Sequence, residues 1–500
     1  MSNLSITSPG AIASLIVIIL LLSLQAARFY TIQVGRAKYS PTQRLVHRQH
    51  DCSVILPIQN QKDPMLDSCV RKILQNYPQN VYLVLVGVEG QDTLSNRLQP
   101  FRRTYYNTQL HIGAVNTANK RRQIAHAMAY IDTALTVVTD QDIHWPSNFL
   151  DSALAPFSNR KVGAVTVPKI VRKPQGFWAS LPACLFSCYY SLVAEESRAF
   201  NALDSSALFA ESTVAFRTRF SQETRFNQQF ENDPCLNRWS GTYKADEYLF
   251  FNRYFLQADC DDETACLVVF QDAPEATVQV EGRSIIGFLG EYLRTTRNTW
   301  RLSRSMIRRN ERRRYPYAFI AMWLSSFVSF TMIQEAIIAV LIYVNPGLQQ
   351  TWIFWIVLEF CIIVHQLIMG RQAASRLSHS GGKYNNFMIF MSILVGLLGQ
   401  YVLELLKIVA LFTAWMADVE KPKREDPEDP EAQEVGIEMP VWVNGRVQDQ
   451  AQQFEMRNEP PWIRGFEERR ADRRDPPPGY DRRSPPSYDG DSDISSVRIE

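Results

Sequence analysis

Cysteine is sparse and unpatterned in this chain: eight in 500 residues, at positions 52, 69, 184, 188, 235, 260, 266 and 361. There are no repeated Cys-x-x-Cys pairs and no histidines at ligand spacing, which excludes a disulfide framework and a zinc site and points to a reducing compartment for the main domain. A charge surplus is missing too. The 53 basic and 51 acidic side chains leave a net +2, which gives no general case for nucleic-acid binding. The apolar run 11–27 has no basic residue ahead of it, as a secretory leader would; Arg28, Arg36, Lys38, Arg44 and Arg48 come after it. Residues 1–30 therefore read as an N-terminal transmembrane anchor, with the domain C-terminal to it on the cytosolic side. Aliphatic residues are scarce in 417–500, which is dense in Pro, Asp, Glu and Arg. Such a segment cannot bury enough apolar surface to fold and is expected to be disordered.

What the chain does contain is "VVTDQDIHWP", residues 137–146. The apolar run before it suits a strand covered on both faces. With a side-chain period of two, Asp140 and Asp142 leave the strand end in one direction. Hard cations take oxygen ligands, and Mg²⁺ binds through one or two carboxylates together with substrate phosphates. A polar turn after a strand would use the same residues, so the motif depends on its setting. Strands are expected at 53–57, 81–88 and 162–167, with helices at 67–77 and 120–131 and a polar turn at 89–92. Strands alternating with helices make a parallel sheet that binds ligands at the carboxyl ends of its strands. Asp140 and Asp142 sit at such an end.

The succession "SVILPIQN", "NKRRQIAHA", "VTDQDIHWP", "VGAVTVP" resembles the opening of a family 2 glycosyltransferase with the GT-A fold. Later segments resemble membrane polysaccharide synthases, chiefly hyaluronan synthase and fungal type 2 glycosyltransferases. "AESTVAFR" (210–217) is similar to their "SGPLGMYR", "ADEYLFFNR" (245–253) to "GDDRHLTNR", and "EYLRTTRNTWR" (291–301) to "QQTRWSKSYFR". The resemblance spans residues 52 to about 416. It implies an α/β GT-A catalytic domain over 50–301, with a mixed, mostly parallel sheet and flanking helices, joined to an α-helical transmembrane region.

By that resemblance Asp142 binds Mn²⁺ or Mg²⁺ on the donor's diphosphate, and Asp140 steadies the nucleotide and the metal site. Pro57 and Glu89, or Asp92 in place of Glu89, lie along the nucleotide sugar. Lys120 and Arg121 meet the diphosphate, where positive charge offsets charge developing in the transition state. Arg294 does so from the other side, and Arg297 and Trp300 line the mouth. The general base corresponds to Glu247, preceded by Asp246. Two departures stand out: Glu247 replaces the family's Asp, and in the Gln-x-x-Arg-Trp pattern Glu291 and Thr295 stand for Gln and Trp, leaving only Arg294. They place full activity, acceptor choice and processivity in question.

Segment 176–193 is aromatic and uncharged but contains Pro182, and reads as an interfacial or core helix. Residues 302–416 read as a basic juxtamembrane helix followed by three apolar segments, 317–344, 352–369 and 387–416. Seven arginines between 301 and 314 suit anionic lipid, at roughly 1 kcal/mol each, and no nucleic-acid-binding module accompanies them. Glu335, Glu359, His365, Glu404 and Lys407 would line a polar path or join helices to one another. The last segment exceeds a span, so a break at Gly396-x-x-Gly399 is expected to return the tail to the cytosol. That tail holds Pro477-Pro478-Gly479-Tyr480 and Pro485-Pro486-Ser487-Tyr488, two Pro-Pro-x-Tyr ligands for a WW-domain ubiquitin ligase.

The expected function is inverting transfer of a sugar from a UDP-sugar to a growing cell-wall or extracellular polysaccharide, extruded through the protein's own helices. The alternatives are a non-processive membrane enzyme acting on a lipid or short acceptor, and an inactive relative serving as an adaptor through its tail. The implied placement is a multi-pass protein of the plasma membrane, its catalytic domain cytosolic, with a UDP-sugar, a polysaccharide acceptor and the lipid bilayer as partners and no nucleic acid.

Overall fold

Apolar side chains fill the first two thirds of α1 (Pro9–Lys38), one continuous 30-residue helix, about 45 Å long. Ile12, Ile16, Val17, Ile19 and Leu20 face outward, unlike the buried stripe of a core helix. Among the described residues, α1 alone is long and apolar enough to cross a membrane. This computed structural model describes residues 9–43, 47, 49–116, 119–172, 176–204, 213–231, 247–257, 267–282, 284–307, 316–317, 331–345, 348, 360, 364, 367, 371 and 386–414. Asp246, Glu359, His365, nearly all of segment 352–369, and both Pro-Pro-x-Tyr motifs lie outside the described residues.

The helix does not stop where its apolar run does. Its second half lies on α6 (Phe177–Asp204), held by Arg28 to Glu196 and by Arg36 to Glu195 at 3.6 Å. Beside the Arg36 ion pair the two backbones nearly touch, and a Cβ on Gly35 would run into the Ala199 carbonyl. Only glycine permits that approach.

Between α1 and α6 the chain builds an α/β domain: β1 (Cys52–Pro57), α2 (Leu66–Leu74), β2 (Asn80–Val86), α3 (Gln91–Thr104), β3 (Gln109–Val115), α4 (Lys120–Met128), β4 (Leu135–Thr139), β5 (Ile143–His144), α5 (Phe149–Leu154), β6 (Val162–Thr166) and β7 (Lys169–Val171). After α6 come β8 (Thr213–Arg217), α7 (Thr224–Glu231), α8 (Glu247–Gln257), β9 (Leu267–Phe270), β10 (Val278–Val280), α9 (Ile285–Ile307), α10 (Thr331–Val344) and α11 (Asn386–Phe412).

Seven strands form one sheet in the order β3-β2-β1-β4-β8-β6-β9. β1 runs parallel to β2 and β4, β2 to β3, and β6 to β9, while β8 lies antiparallel between β4 and β6. The sheet is mixed and mostly parallel, as expected. β1 and β4 are buried along their whole length. The α2 stripe Leu66, Cys69, Val70, Ile73 and Leu74 is likewise buried, with the spacing that packs a helix on a sheet. β3 and α3 were not foreseen: β3 has a glycine and a histidine within it, and α3 is mostly polar and contains Pro100.

A second sheet, β5-β10-β7, begins one residue after Asp142. Behind it Trp145 stacks on Phe149 with centroids 4.4 Å apart. Fully buried Asn76 donates to the Pro146 carbonyl (2.9 Å) and accepts from the Leu150 amide (3.1 Å), fixing the turn after the acidic motif.

The expected break near Gly396 is absent. α11 runs unbroken through Gly396 and Gly399, because glycine lowers helix stability without forbidding it. That removes the hairpin as a route for a cytosolic tail. α11 packs on α9 and α6, and α10 lies between α1 and α11. Replacing Gly35 by Leu should force α1 off α6 at a cost of about 1–3 kcal/mol, read as a lower melting temperature of the full chain in detergent; a melt identical to the native one would contradict the close packing.

Candidate active site

Two strand ends and two helix starts meet above the carboxyl edge of the large sheet. Alternation along β4 and the turn after it sends Asp140 and Asp142 into a cleft, while Gln141 points the other way. The Gln141 side-chain oxygen accepts from the backbone amides of Gln59 (2.9 Å) and Asn60 (3.3 Å), tying the acidic turn to the loop after β1. On the other side α4 is capped by Asn119, whose side chain accepts from the Arg121 amide at 2.9 Å. Buried Gln123 donates to the carbonyls of Ile58 (2.9 Å) and Val84 (2.7 Å). That seats α4 on the ends of β1 and β2 and sets Lys120 over the strand ends.

Lys120 is the centre of the cleft. Its ammonium lies 2.6 Å from an Asp140 oxygen, pairs with Glu247, and sits 5.2 Å from the centroid of the Tyr248 ring. Burial alone would push its pKa down, but the two carboxylates outweigh burial and hold it above the usual lysine value. Glu247 and Tyr248 come from the first turn of α8, and the Tyr248 hydroxyl donates to Asp140 at 3.2 Å. Asp142, Arg294 and Glu291 line the same cleft, which is open to solvent on one side. Its far wall carries Phe186 and Tyr190 of α6, Phe288 of α9 and Lys169 of β7. Lys169 pairs with Glu291 at 3.7 Å and lies 4.4 Å from the Tyr190 ring centroid.

Lys120, Asp140, Asp142, Glu247 and Arg294, chosen from the sequence, are thus brought together. Others are not. Arg121 turns away from the cleft: it is 1 % exposed, donates to the Phe230 carbonyl at 3.0 Å and lies 5.5 Å from the ring centroids of Phe230 and Phe250. Consecutive helix residues point about 100° apart, so only one of the pair can face the diphosphate. Arg297 and Trp300, expected at the mouth, pack on α11 instead, Arg297 donating to Thr413 (2.9 Å) and Trp300 to the Lys407 carbonyl (3.3 Å). Pro57 is buried at the end of β1, and Glu89 and Asp92 are exposed beyond the end of β2; none of the three lines the cleft wall. Lys169 was missed, since a lone lysine on a three-residue strand carries no pattern. Tyr248 was also missed, although its place beside Glu247 was a usable signal.

Among the described residues, no three His, Cys, Asp or Glu side chains stand close enough to cage a metal by themselves. The donor set still suits Mg²⁺ or Mn²⁺. Asp140 is engaged by Lys120 and Tyr248, Asp142 offers a carboxylate to the cleft, and such ions complete their shells from phosphate and water.

Residues 51–248 match the family model described as glycosyltransferase like family 2. That match takes in Lys120, Asp140, Asp142 and Glu247 and stops short of Arg294. A type 2 glycosyltransferase of Pyricularia oryzae is 24% identical over 254 residues, 50% of this chain and 50% of that protein. One of Zymoseptoria tritici is 25% identical over 252 residues, again half of each chain. The chain therefore spans about half the length of the curated relatives it matches. Among solved structures, a mannosyltransferase from Pyrobaculum calidifontis in complex with GDP-Man and Mn²⁺ is 15% identical, with a TM-score of 0.42, covering 80% of this chain and 98% of that one. Glucosyl-3-phosphoglycerate synthase from Mycobacterium tuberculosis, with Mn²⁺ and UDP, is 12% identical with a TM-score of 0.29, covering 52% of this chain and 88% of that one.

The two adjacent cations are separable by experiment. Lys120→Met should lower nucleotide release from a nucleotide sugar by about a hundredfold, and Arg121→Met by less than about threefold, because its guanidinium does not face the cleft. Equal losses in the two variants would contradict this division.

Proposed function

We propose that the protein is a membrane-anchored inverting glycosyltransferase that moves a sugar from a UDP-sugar to an acceptor hydroxyl. The observation that carries this reading is the convergence of Asp142, Asp140, Lys120, Glu247 and Arg294 on one cleft at the carboxyl ends of β1 and β4. Asp142 would hold a divalent cation with the donor's diphosphate, and that cation supplies counter-charge to the leaving nucleotide when bound. Lys120 and Arg294, which line the same cleft, would pair with those phosphates. The Glu247 carboxylate accepts the proton of the acceptor hydroxyl. The acceptor oxygen forms a bond to the anomeric carbon as the bond to the diphosphate breaks on the opposite face, releasing nucleoside diphosphate with inversion. Glu247 is paired with Lys120, and a diphosphate that draws the ammonium to itself would release Glu247 to act as base.

Beyond the cleft, the chain's three later apolar segments and its basic run at 301–314 support a multi-pass protein at the plasma membrane, with the catalytic domain cytosolic. A cell-wall or extracellular polysaccharide passing through those helices is the product that the sequence resemblance favours. Purified full-length protein with Mn²⁺ and UDP-glucose, UDP-GlcNAc, UDP-glucuronate or GDP-mannose should release nucleotide from one of the UDP-sugars. Asp142→Asn should reduce that release at least about a hundredfold. Equal release by the native and variant proteins would leave the adaptor reading, and product length would separate a polymerase from a single-addition enzyme.

A further inference from the structure

We propose that Tyr248 is a positioning residue that fixes the strand-end acid Asp140 and its counter-cation Lys120 for donor binding, an inference that rests on the transferase reading above. The ring is 3 % exposed, and a buried phenol hydroxyl needs a hydrogen-bond partner. Here the partner is a cleft carboxylate: the hydroxyl donates to Asp140 at 3.2 Å. The same ring lies 5.2 Å from the Lys120 ammonium, within the range at which a ring face attracts a cation. One side chain therefore contacts both members of the Lys120–Asp140 pair.

The geometry of α8 explains how this works. Glu247 and Tyr248 are consecutive in its first turn and leave the helix about 100° apart, so they approach Lys120 from two directions. Glu247 meets the ammonium with charge, and Tyr248 meets it with a ring. Asp140 receives Lys120 and the Tyr248 hydroxyl on the same oxygen, which sets the orientation of its carboxylate. Asp142, two residues further on, lines the same cleft. Tyr248 thus links the helix that carries Glu247 to the strand end that carries Asp140. Removing the hydroxyl frees the Asp140 carboxylate to rotate. Removing the ring as well lets Lys120 leave the strand end.

The test compares Tyr248→Phe and Tyr248→Leu in the full-length protein. Three quantities are read: donor KM and kcat with the UDP-sugar that the native protein turns over, the Kd of UDP in the presence of Mn²⁺ by calorimetry, and the melting temperature. Tyr248→Phe should raise donor KM and UDP Kd about tenfold, the scale of a lost hydrogen bond to a charged group, with kcat within about twofold and an unchanged melt. Tyr248→Leu should raise both further and also lower kcat. Native KM and Kd in Tyr248→Phe, or a lowered melt with unchanged KM, would overturn the proposal and leave Tyr248 as packing alone. A native protein that neither binds UDP nor turns over any donor, and is indistinguishable from Asp142→Asn, would instead overturn the transferase reading.

Discussion

One ammonium shared by two carboxylates holds the cleft together. Lys120 belongs to α4, Asp140 to the end of β4 and Glu247 to the start of α8, so a single charge joins a helix seated on β1 and β2 to a strand and to a helix much later in the chain. Breaking one arm of a buried pair leaves an uncompensated charge, which costs far more than the pair contributes when intact. The arrangement is accordingly sensitive to each of its three members. The polar ties around it, Gln123 to β1 and β2 and Gln141 to the loop after β1, keep the backbone rigid enough for the charges to meet.

The part of the site that a reader of the sequence could find was the part governed by short-range periodicity. The two-residue period of a strand put Asp140 and Asp142 on one side and Gln141 on the other, and the structure keeps that alternation. Glu247 was reachable through family resemblance, its role depending on contacts with residues more than a hundred positions away. Arg121 shows the limit of a basic cluster as a signal: adjacent positions on a helix cannot share a target, and an aromatic pocket from α7 and α8 claimed the second one. Arg297 and Trp300 show a different limit. They follow Arg294 at helical spacing, but six residues along a helix is about 9 Å of travel, and by Trp300 the neighbour is α11. The mostly polar α3 and the glycine-bearing β3 carried no periodic apolar pattern, and no local pattern revealed them.

The second, three-stranded sheet has more influence on the cleft than its size suggests. β5 starts directly after Asp142 and pairs with β10, which pairs with β7. The acidic turn, Lys169 and the approach to α9 are thereby fixed by a few backbone hydrogen bonds. Across the cleft, Phe186 and Phe288 stack with centroids 3.8 Å apart, locking α6 and α9 together behind the far wall. Residues from β4, β7, α4, α6, α8 and α9 therefore reach one space, although they are spread from position 120 to position 294.

The seat of α1 on α6 carries a geometric consequence. From Gly10 to Gly35 the helix rises about 38 Å with no interruption, and at Gly35 its backbone rests against that of Ala199. There is no joint between the outward-facing apolar end and the helix that lends Phe186 and Tyr190 to the cleft wall. The chain thus contains a built-in ruler: the height of the cleft above the apolar end is set by residue count, and insertions or deletions in α1 would change both that height and, through the helical phase, the direction in which the cleft opens.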